Sequence, residues 1–243
     1  MNRLVLPAAA TLALALSATA AHGREVRESS RSNAVEFKIG AYMPRIDSQF
    51  QASSAGVEGG LPYKRIFKND DPFMMMLGVD QHIVRELGTL SLGFAAGWWS
   101  VEGKGVSAGG EGSDTTTLQM IPMQFQATYR LDLWEEIVPL VPVLRGGLDY
   151  VYWSIKDGGD EVTTFPTGAE ASGGTWGWHV TVGLHFLLDY LDPSMAADFD
   201  RDAGVNGSYL VLEYQMATID DFGGGDSFRL GDDTFFIGLA LDL

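Results

Sequence analysis

The sequence predicts an all-β chain: an eight-stranded antiparallel up-and-down transmembrane β-barrel with long extracellular loops and short periplasmic turns. Three observations predict it. Eight segments alternate large apolar residues with small or polar ones, the period-2 pattern of a strand with two unlike faces. The joins between segments are alternately long and short, as loops and turns are on the two sides of such a barrel. Aromatic residues gather at the segment ends, at the depth where Trp and Tyr favour a membrane interface.

Composition narrows the class. The 243 residues have a mean hydropathy of +0.03, too low for a bundle of membrane helices, and suit one all-β domain. A net charge of -16 argues against a nucleic-acid partner, because phosphates call for Lys and Arg. With no Cys there is no disulfide scaffold, thiolate metal site or lipid-modified cysteine anchor.

Residues 1–23 read as a cleaved signal peptide. Arg3 supplies the positive start, Leu4–Ala18 is the apolar run, and cleavage fits Ala18-Thr19-Ala20 or Ala21-His22-Gly23. The apolar run is too short to cross a bilayer as a helix. Arg3 is the one charge removed, so 15 cations against 32 anions leave a mature charge of -17. Residues 24–33 form a polar leader and 34–243 the single barrel domain.

The strands follow in order. Val35–Met43 alternates Val35, Phe37 and Ile39 with Glu36, Lys38 and Gly40. Phe73–Ile83 sets Phe73, Met75, Leu77 and Val79 against Met76, Gly78, Asp80 and His82. Leu90–Trp99 is the cleanest, with Leu90, Leu92, Phe94, Ala96 and Trp98 against Ser91, Gly93, Ala95, Gly97 and Trp99. Ile121–Asp132 opposes Ile121, Met123, Phe125 and Tyr129 to Gln124, Gln126, Thr128 and Arg130. Leu140–Trp153 opposes Leu144, Leu148 and Tyr152 to Arg145, Gly147, Asp149 and Trp153. Thr175–Leu188 opposes Trp176, Trp178, Val180 and Val182 to Gly177, His179, Thr181, Gly183 and His185. Tyr209–Thr218 opposes Leu210, Leu212 and Tyr214 to Val211, Glu213 and Gln215. The eighth, Phe235–Leu243, carries Phe235, Ile237, Leu239, Leu241 and Leu243 on one face, and pairing it with Val35–Met43 closes the barrel.

The joins 45–72, 102–116, 155–174 and 220–233 are long and Gly-rich or acidic; those after the second and fourth strands are short. The third even join holds a helix near 193–203, with Asp192 as N-cap, Pro193 at its first position and Gly204 as terminator. One aromatic girdle comprises Tyr42, Phe73, Trp98, Trp99, Tyr150, Tyr152, Trp153, Trp176, Trp178, Phe235 and Phe236. The other comprises Tyr129, Trp134, Phe186, Tyr190 and Tyr209.

Side-chain size decides which face is inside. Gly40, Gly78, Gly93, Ala95, Gly97, Gly147, Gly177, Gly183, Gly238 and Ala240 share one face, and an eight-stranded interior has room for little more. The Leu-, Phe- and Ile-rich face then meets lipid. The interior accordingly holds Glu36, Lys38, Asp80, His82, Gln124, Gln126, Arg130, Arg145, Asp149, His179, His185, Glu213 and Gln215, with both charge signs, as a mutually satisfied structural network.

Catalytic, cofactor and metal signals are weak, and no catalytic, cofactor-binding or metal residue is assigned. Asp198–Asn206 has the alternating oxygens of a calcium loop, but Gly204 comes one place late and Tyr209 stands where the bidentate Glu belongs. Ser91 or Thr181 with His179 or His185 and Asp149 would make a Ser/His/acid site only if the fold assembled them.

With the strands placed, the chain resembles the small OmpA/OmpX-like outer-membrane barrels. The matching stretches are Val138–Tyr150, a Pro-led, Gly-rich strand leaving a periplasmic turn, and Phe235–Leu243, which is similar to their assembly signal with Leu243 replacing the usual Phe. The run from Asp192-Pro193 through Gly204-Val-Asn to Glu213 is also similar to an uncharacterised myxobacterial outer-membrane barrel family. The resemblance covers roughly residues 34–243. It implies an outer-membrane location in a Gram-negative envelope with both termini periplasmic, outer-membrane lipid around the barrel, and barrel-assembly machinery recognising Phe235, Ile237, Leu239, Leu241 and Leu243. The expected role is structural or in surface interaction with an extracellular ligand, with loop 45–72 (Tyr63, Lys64, Arg65, Phe67) as contact surface. A narrow ion or solute channel and a lipid-modifying enzyme are the alternatives.

Overall fold

A computed structural model describes residues 31–50, 61–68, 71–107, 110–135, 137–164, 168–224 and 227–243. The expected signal peptide, most of the leader and part of loop 45–72 lie outside the described residues. Eight strands follow one another in space as in sequence: β1 (Asn33–Ala41), β2 (Phe73–Val84), β3 (Thr89–Ser107), β4 (Gly110–Arg130), β5 (Leu140–Lys156), β6 (Ser172–Leu187), β7 (Gly207–Ile219) and β8 (Asp233–Asp242). All neighbours are antiparallel, and β8 pairs with β1 from Ala34↔Asp242 to Ile39↔Ile237, closing the barrel. The expected eight-stranded up-and-down barrel is the observed one.

Most boundaries shift by one to three residues, and two places show why. The 102–116 join is mostly strand, because β3 and β4 stay paired from Val101↔Leu118 to Ser107↔Gly110, with a register shift between Lys104 and Val106. Its outward residues Glu102 and Lys104 are polar, so the apolar alternation ends although the β-branched Thr115–Thr117 and Val101 sustain the ladder. At the start of the chain, β1 stops at Ala41, and Tyr42 turns into the barrel mouth, 3% exposed.

Alternation assigns the faces as expected. Leu92, Phe125, Leu148, Leu212 and Leu239 are about half exposed on the outside, whereas Ser91, Gln126, Asp149, Val211 and Ala240 are buried within. The close inner packing explains the glycines. A Cβ at Gly93 would overlap the Asp80 carboxylate, and one at Gly238 would overlap the Phe37 carbonyl and Lys38.

The same alternation corrects the girdles. Trp98 points outward, so its neighbour Trp99 points inward and is fully buried; Tyr42, Tyr209 and Phe236 are buried inside as well. Trp153 is partly buried and stacks edge-on against Phe228 at 4.6 Å. Phe73, Trp98, Tyr152, Trp176, Trp178 and Phe235 remain exposed toward the loop end of the barrel, and Tyr129, Trp134 and Tyr190 toward the turn end.

The segment after β1 folds back over the loop end. Helix α1 (Pro62–Phe67) is anchored by Asp47, whose carboxylate accepts from the backbone N–H of Tyr63 (2.7 Å) and Lys64 (3.1 Å). At the turn end, α2 (Pro193–Ala203) starts at Asp192, which accepts from the Ser194 and Met195 N–H groups, each at 3.1 Å. It ends at Gly204 in the left-handed region, φ 68°.

Candidate functional site

The inward faces of the eight strands build three successive zones. Toward the loop end the filling is apolar: Met74, Met76, Trp99, Leu118, Met120 and Phe236 pack with Tyr63 and Phe67 of α1. Trp99 donates its indole N–H to the Tyr42 and Pro72 carbonyls (3.0 Å each), and the Tyr42 hydroxyl donates to the Leu230 carbonyl. An indole buried with its N–H satisfied closes this mouth at no polar cost.

The middle zone is charged. Arg145 grips Glu36 with two parallel bonds (Nη2–Oε2 2.8 Å, Nη1–Oε1 2.9 Å), reaches Glu213 Oε2 at 3.2 Å, and donates Nε–H to Thr128 Oγ1 at 3.0 Å. Lys38 Nζ lies 2.8 Å from Glu213 Oε2 and 3.3 Å from Glu36 Oε1, and over the Phe236 ring at 5.2 Å. His185 Nε2 meets Glu213 Oε1 at 3.1 Å. Asp80 accepts from Gln126 Nε2 and Thr128 Oγ1, both 3.0 Å. Beside these, Asp149 accepts from Gln124 Nε2 (2.7 Å) and lies 2.9 Å from His179 Nδ1. Register sets Thr128 and Thr181 directly beside Arg145, with Gln215 next in that row, and Glu213 lies two residues along β7 from it, opposite Gly183.

Toward the turn end, Arg130 Nη1 pairs with Asp242 Oδ1 at 2.6 Å, and the guanidinium carbon Cζ lies 4.6 Å from the Tyr209 ring centroid. Tyr209 donates to Glu135 Oε2 at 2.9 Å, and Glu135 also pairs with Arg31. Val141, Val143, Val211 and Ala240 pack around this group.

Every expected interior residue therefore points inward. They form not one network but three groups: Glu36, Lys38, Asp80, Arg145, His185 and Glu213; Asp149 with His179; and Arg130 with Asp242 near His82. Asp242 is 3% exposed and is Arg130's partner. Its place on the Gly238–Ala240 face is a sufficient signal. Thr128 is equally readable as an inward residue, but its bridging of Arg145 and Asp80 depends on cross-strand register.

The arrangement decides among chemical readings. Glu36, His185 and Glu213 bring three ligand atoms within 4.8 Å, close enough by distance alone to hold a metal ion. Lys38 and Arg145 already balance both carboxylates, so a cation would have to displace them. The postulated Ser/His/acid sets are not assembled. Ser91 instead bonds His82 Nδ1 at 2.8 Å, and Thr181 bonds Gln215 at 3.5 Å. His82 Nε2 stands 3.8 Å from Asp242, beyond hydrogen-bond range, and that carboxylate is held by Arg130. Among the described residues, several buried polar atoms lack a protein partner, including His179 Nε2, His185 Nδ1, Gln124 Oε1 and Gln126 Oε1.

The calcium-loop reading fails on geometry, because Asp198–Asp202 is helical and Asp198 pairs with Arg201 at 2.7 Å. Acidic loop residues serve the backbone: Asp221 accepts from Trp176 N–H at 2.7 Å and Asp232 from Met43 N–H at 3.0 Å. Burial raises the Asp232 carboxyl above its ordinary range against that bond. The expected contact surface on loop 45–72 is also corrected. Tyr63 and Phe67 are buried, because α1 turns its apolar side into the barrel mouth, and Lys64 and Arg65 face outward. Ile66, Phe67, Lys68, Glu102, Gly103, Lys104 and Thr115 line a cleft of about 700 Å³ beside α1.

Fold and interior together define a small closed antiparallel barrel with an apolar outside and a charged, ion-paired inside. No protein-family model matches the chain, and no curated protein matches it. Among solved structures it is similar to Neisserial surface protein A (12% identity, 88% of this chain and 98% of that one, TM-score 0.46). It is also similar to the outer membrane protein OprG of Pseudomonas aeruginosa (9%, 87% and 96%, TM-score 0.45). A third is Ail, the attachment invasion locus protein of Yersinia pestis, solved with the heparin analogue sucrose octasulfate (9%, 87% and 97%, TM-score 0.39).

Proposed function

We propose that this chain is an outer-membrane β-barrel of a Gram-negative envelope, non-enzymatic, with its turn end and both termini periplasmic. Its filled interior keeps the scaffold rigid while the loop end makes contacts outside the cell. One observation carries the reading: Leu, Phe, Ile and Trp cover the outside of the wall while ionised, hydrogen-bonded side chains fill the inside. Water-facing walls need the reverse, and a bilayer demands this order. The outward face of β8 (Phe235, Ile237, Leu239, Leu241) with Leu243 is the segment the assembly machinery would read.

The external contact surface is the basic cleft beside α1. Lys68 and Lys104 line it together with Glu102, and Lys64 and Arg65 are exposed on the adjoining helix; in a chain of net charge -16 this suits an anionic partner. Membrane fractionation with protease shaving of loops 45–72 and 155–174 on whole cells tests the placement. Cleavage in intact cells supports it, and cleavage only after lysis would overturn the sidedness. A narrow conducting path is the second reading, favoured by the buried polar atoms without protein partners. Planar-bilayer recordings separate the two: resolved current steps abolished by Arg145→Ala would favour conduction, and silence the filled barrel.

A further inference from the structure

The three turn-end connections carry large apolar side chains that the described chain leaves uncovered. Leu87 between β2 and β3, Ile137 between β4 and β5 and Leu191 ahead of α2 are 76%, 78% and 68% exposed. Met195 and Phe199 of α2 follow at 65% and 47%, one helical turn apart and so on one side of the helix. Ala197 and Arg201 lie on the opposite side, while Asp198 and Asp202, three residues on from Met195 and Phe199, flank the apolar pair along one edge and pair with Arg201. The less exposed Ala196 and Asp200 fall between the two sides.

Height fixes what these residues face. From Phe73 in the outer girdle to Val84 is eleven steps of β2. At ~3.3 Å per residue and a tilt of ~40°, that is about 28 Å along the axis. An apolar band of about 25 Å is therefore spent by the end of the strand. Leu87, Ile137 and Leu191 fall just below it, where headgroups meet acyl chains. Leu184 on the outward face of β6 is exposed, as are Tyr190 and Leu191 beyond the strand, with half-buried Phe186, Leu187, Leu188 and Asp189 between them; Asp189 accepts from the Ser208 N–H.

We propose that α2 is an interfacial helix, lying in the periplasmic leaflet with Leu191, Met195 and Phe199 at the boundary between headgroups and acyl chains. This rests on the membrane-barrel reading above. Asp198, Asp200 and Asp202 outnumber Arg201, so no cationic face draws the helix to anionic lipid. Apolar burial alone holds it, unlike the basic helices usual at such surfaces.

The chain contains no Cys, so single labels are clean. Met195→Cys, Ala197→Cys and Leu212→Cys proteins carry a nitroxide in nanodiscs of phosphatidylethanolamine with and without anionic phosphatidylglycerol. Accessibility to oxygen and to a water-soluble nickel chelate is read by electron paramagnetic resonance. The Leu212 label on the barrel wall is the control. The expected pattern is oxygen preference at Met195 and Leu212, nickel preference at Ala197, and no change with anionic lipid. Nickel preference at Met195 beside oxygen preference at Leu212 overturns the helix placement alone. Shielding of Met195 from both reagents also overturns it, because protein then covers that face. Nickel preference at Leu212 overturns the membrane-barrel reading itself.

Discussion

Replacing Arg145 by Met tests whether the interior is held by its charges. The side chain is 2% exposed and makes four polar contacts: two to Glu36, one to Glu213 and one to Thr128. Met fills comparable space but leaves the two carboxylates with Lys38 as their remaining close permanent cation, at 3.3 and 2.8 Å. With Asp80 also in the group, 3.9 Å from Arg145, one more negative charge than in the native protein is then uncompensated in a site shut from water, for which a loss of about 3–5 kcal/mol is expected. Adding Glu36→Gln removes that charge, since the neutral amide it introduces needs no guanidinium opposite it. The double variant should regain about half of the loss or more, a coupling of ~2 kcal/mol. Urea unfolding of protein refolded into lipid vesicles, followed by tryptophan emission and gel mobility, gives each value. A loss under ~1 kcal/mol for Arg145→Met, or no recovery in the double variant, would refute the view that ion pairing rather than packing secures this zone.

Three further predictions address other parts. Leu92→Arg, on the outward face at mid-wall, should cost about 2–4 kcal/mol in bilayers; a neutral result in the same urea assay would mean β3 does not face lipid. Trp99→Ala should cost about 3–5 kcal/mol, because it removes a fully buried ring and its bonds to Tyr42 and Pro72. Its near-ultraviolet circular dichroism should also weaken. Finally, the hydrogen bond from Ser194, with backbone N–H donors behind it, holds the Asp192 carboxyl below its ordinary value of 3.8. A depressed carboxylate stabilises its helix above 3.8 and loses that contribution as pH falls through the lower, folded value. Mobility of a label at Ala197 should thus be flat at neutral pH and rise only in that acid window, and Asp192→Asn should shift or flatten the rise.

How much of this is legible in the sequence follows from periodicity. Strand count, closure and the inward or outward side of each residue depend only on a period of two, which survives in a single sequence. Leu92 and Gly93 can be told apart on that basis alone. What alternation cannot carry is register and depth. Trp99 and Tyr209 fall into the girdles when depth is judged from strand ends, although their own parity puts them inside. Arg130 meeting Asp242 requires knowing that β4 and β8, which are not neighbours, face each other across the lumen. The β3–β4 extension escapes the pattern because polar outward residues are legal once a strand has left the apolar layer. Tyr63 and Phe67 escape it for another reason: a loop that folds back into its own barrel has no periodic signature, and it is Asp47, capping α1 from sixteen residues away, that holds it there.

The seam between β1 and β8 has a further consequence. Ser32 and Asn33 donate to the Leu243 carbonyl at 2.7 and 3.1 Å, and Leu243 donates back to Asn33 at 2.7 Å. Residues 32 and 243 are thus neighbours without a peptide bond, so the barrel is a ring whose covalent gap happens to fall beside Asn33. The eight ladders do not depend on where that gap is placed. A permuted chain, joined across Leu243 and Ser32 by a few residues and opened within Arg85–Gly88, would keep each pairing and move the strand that is made last from β8 to β2.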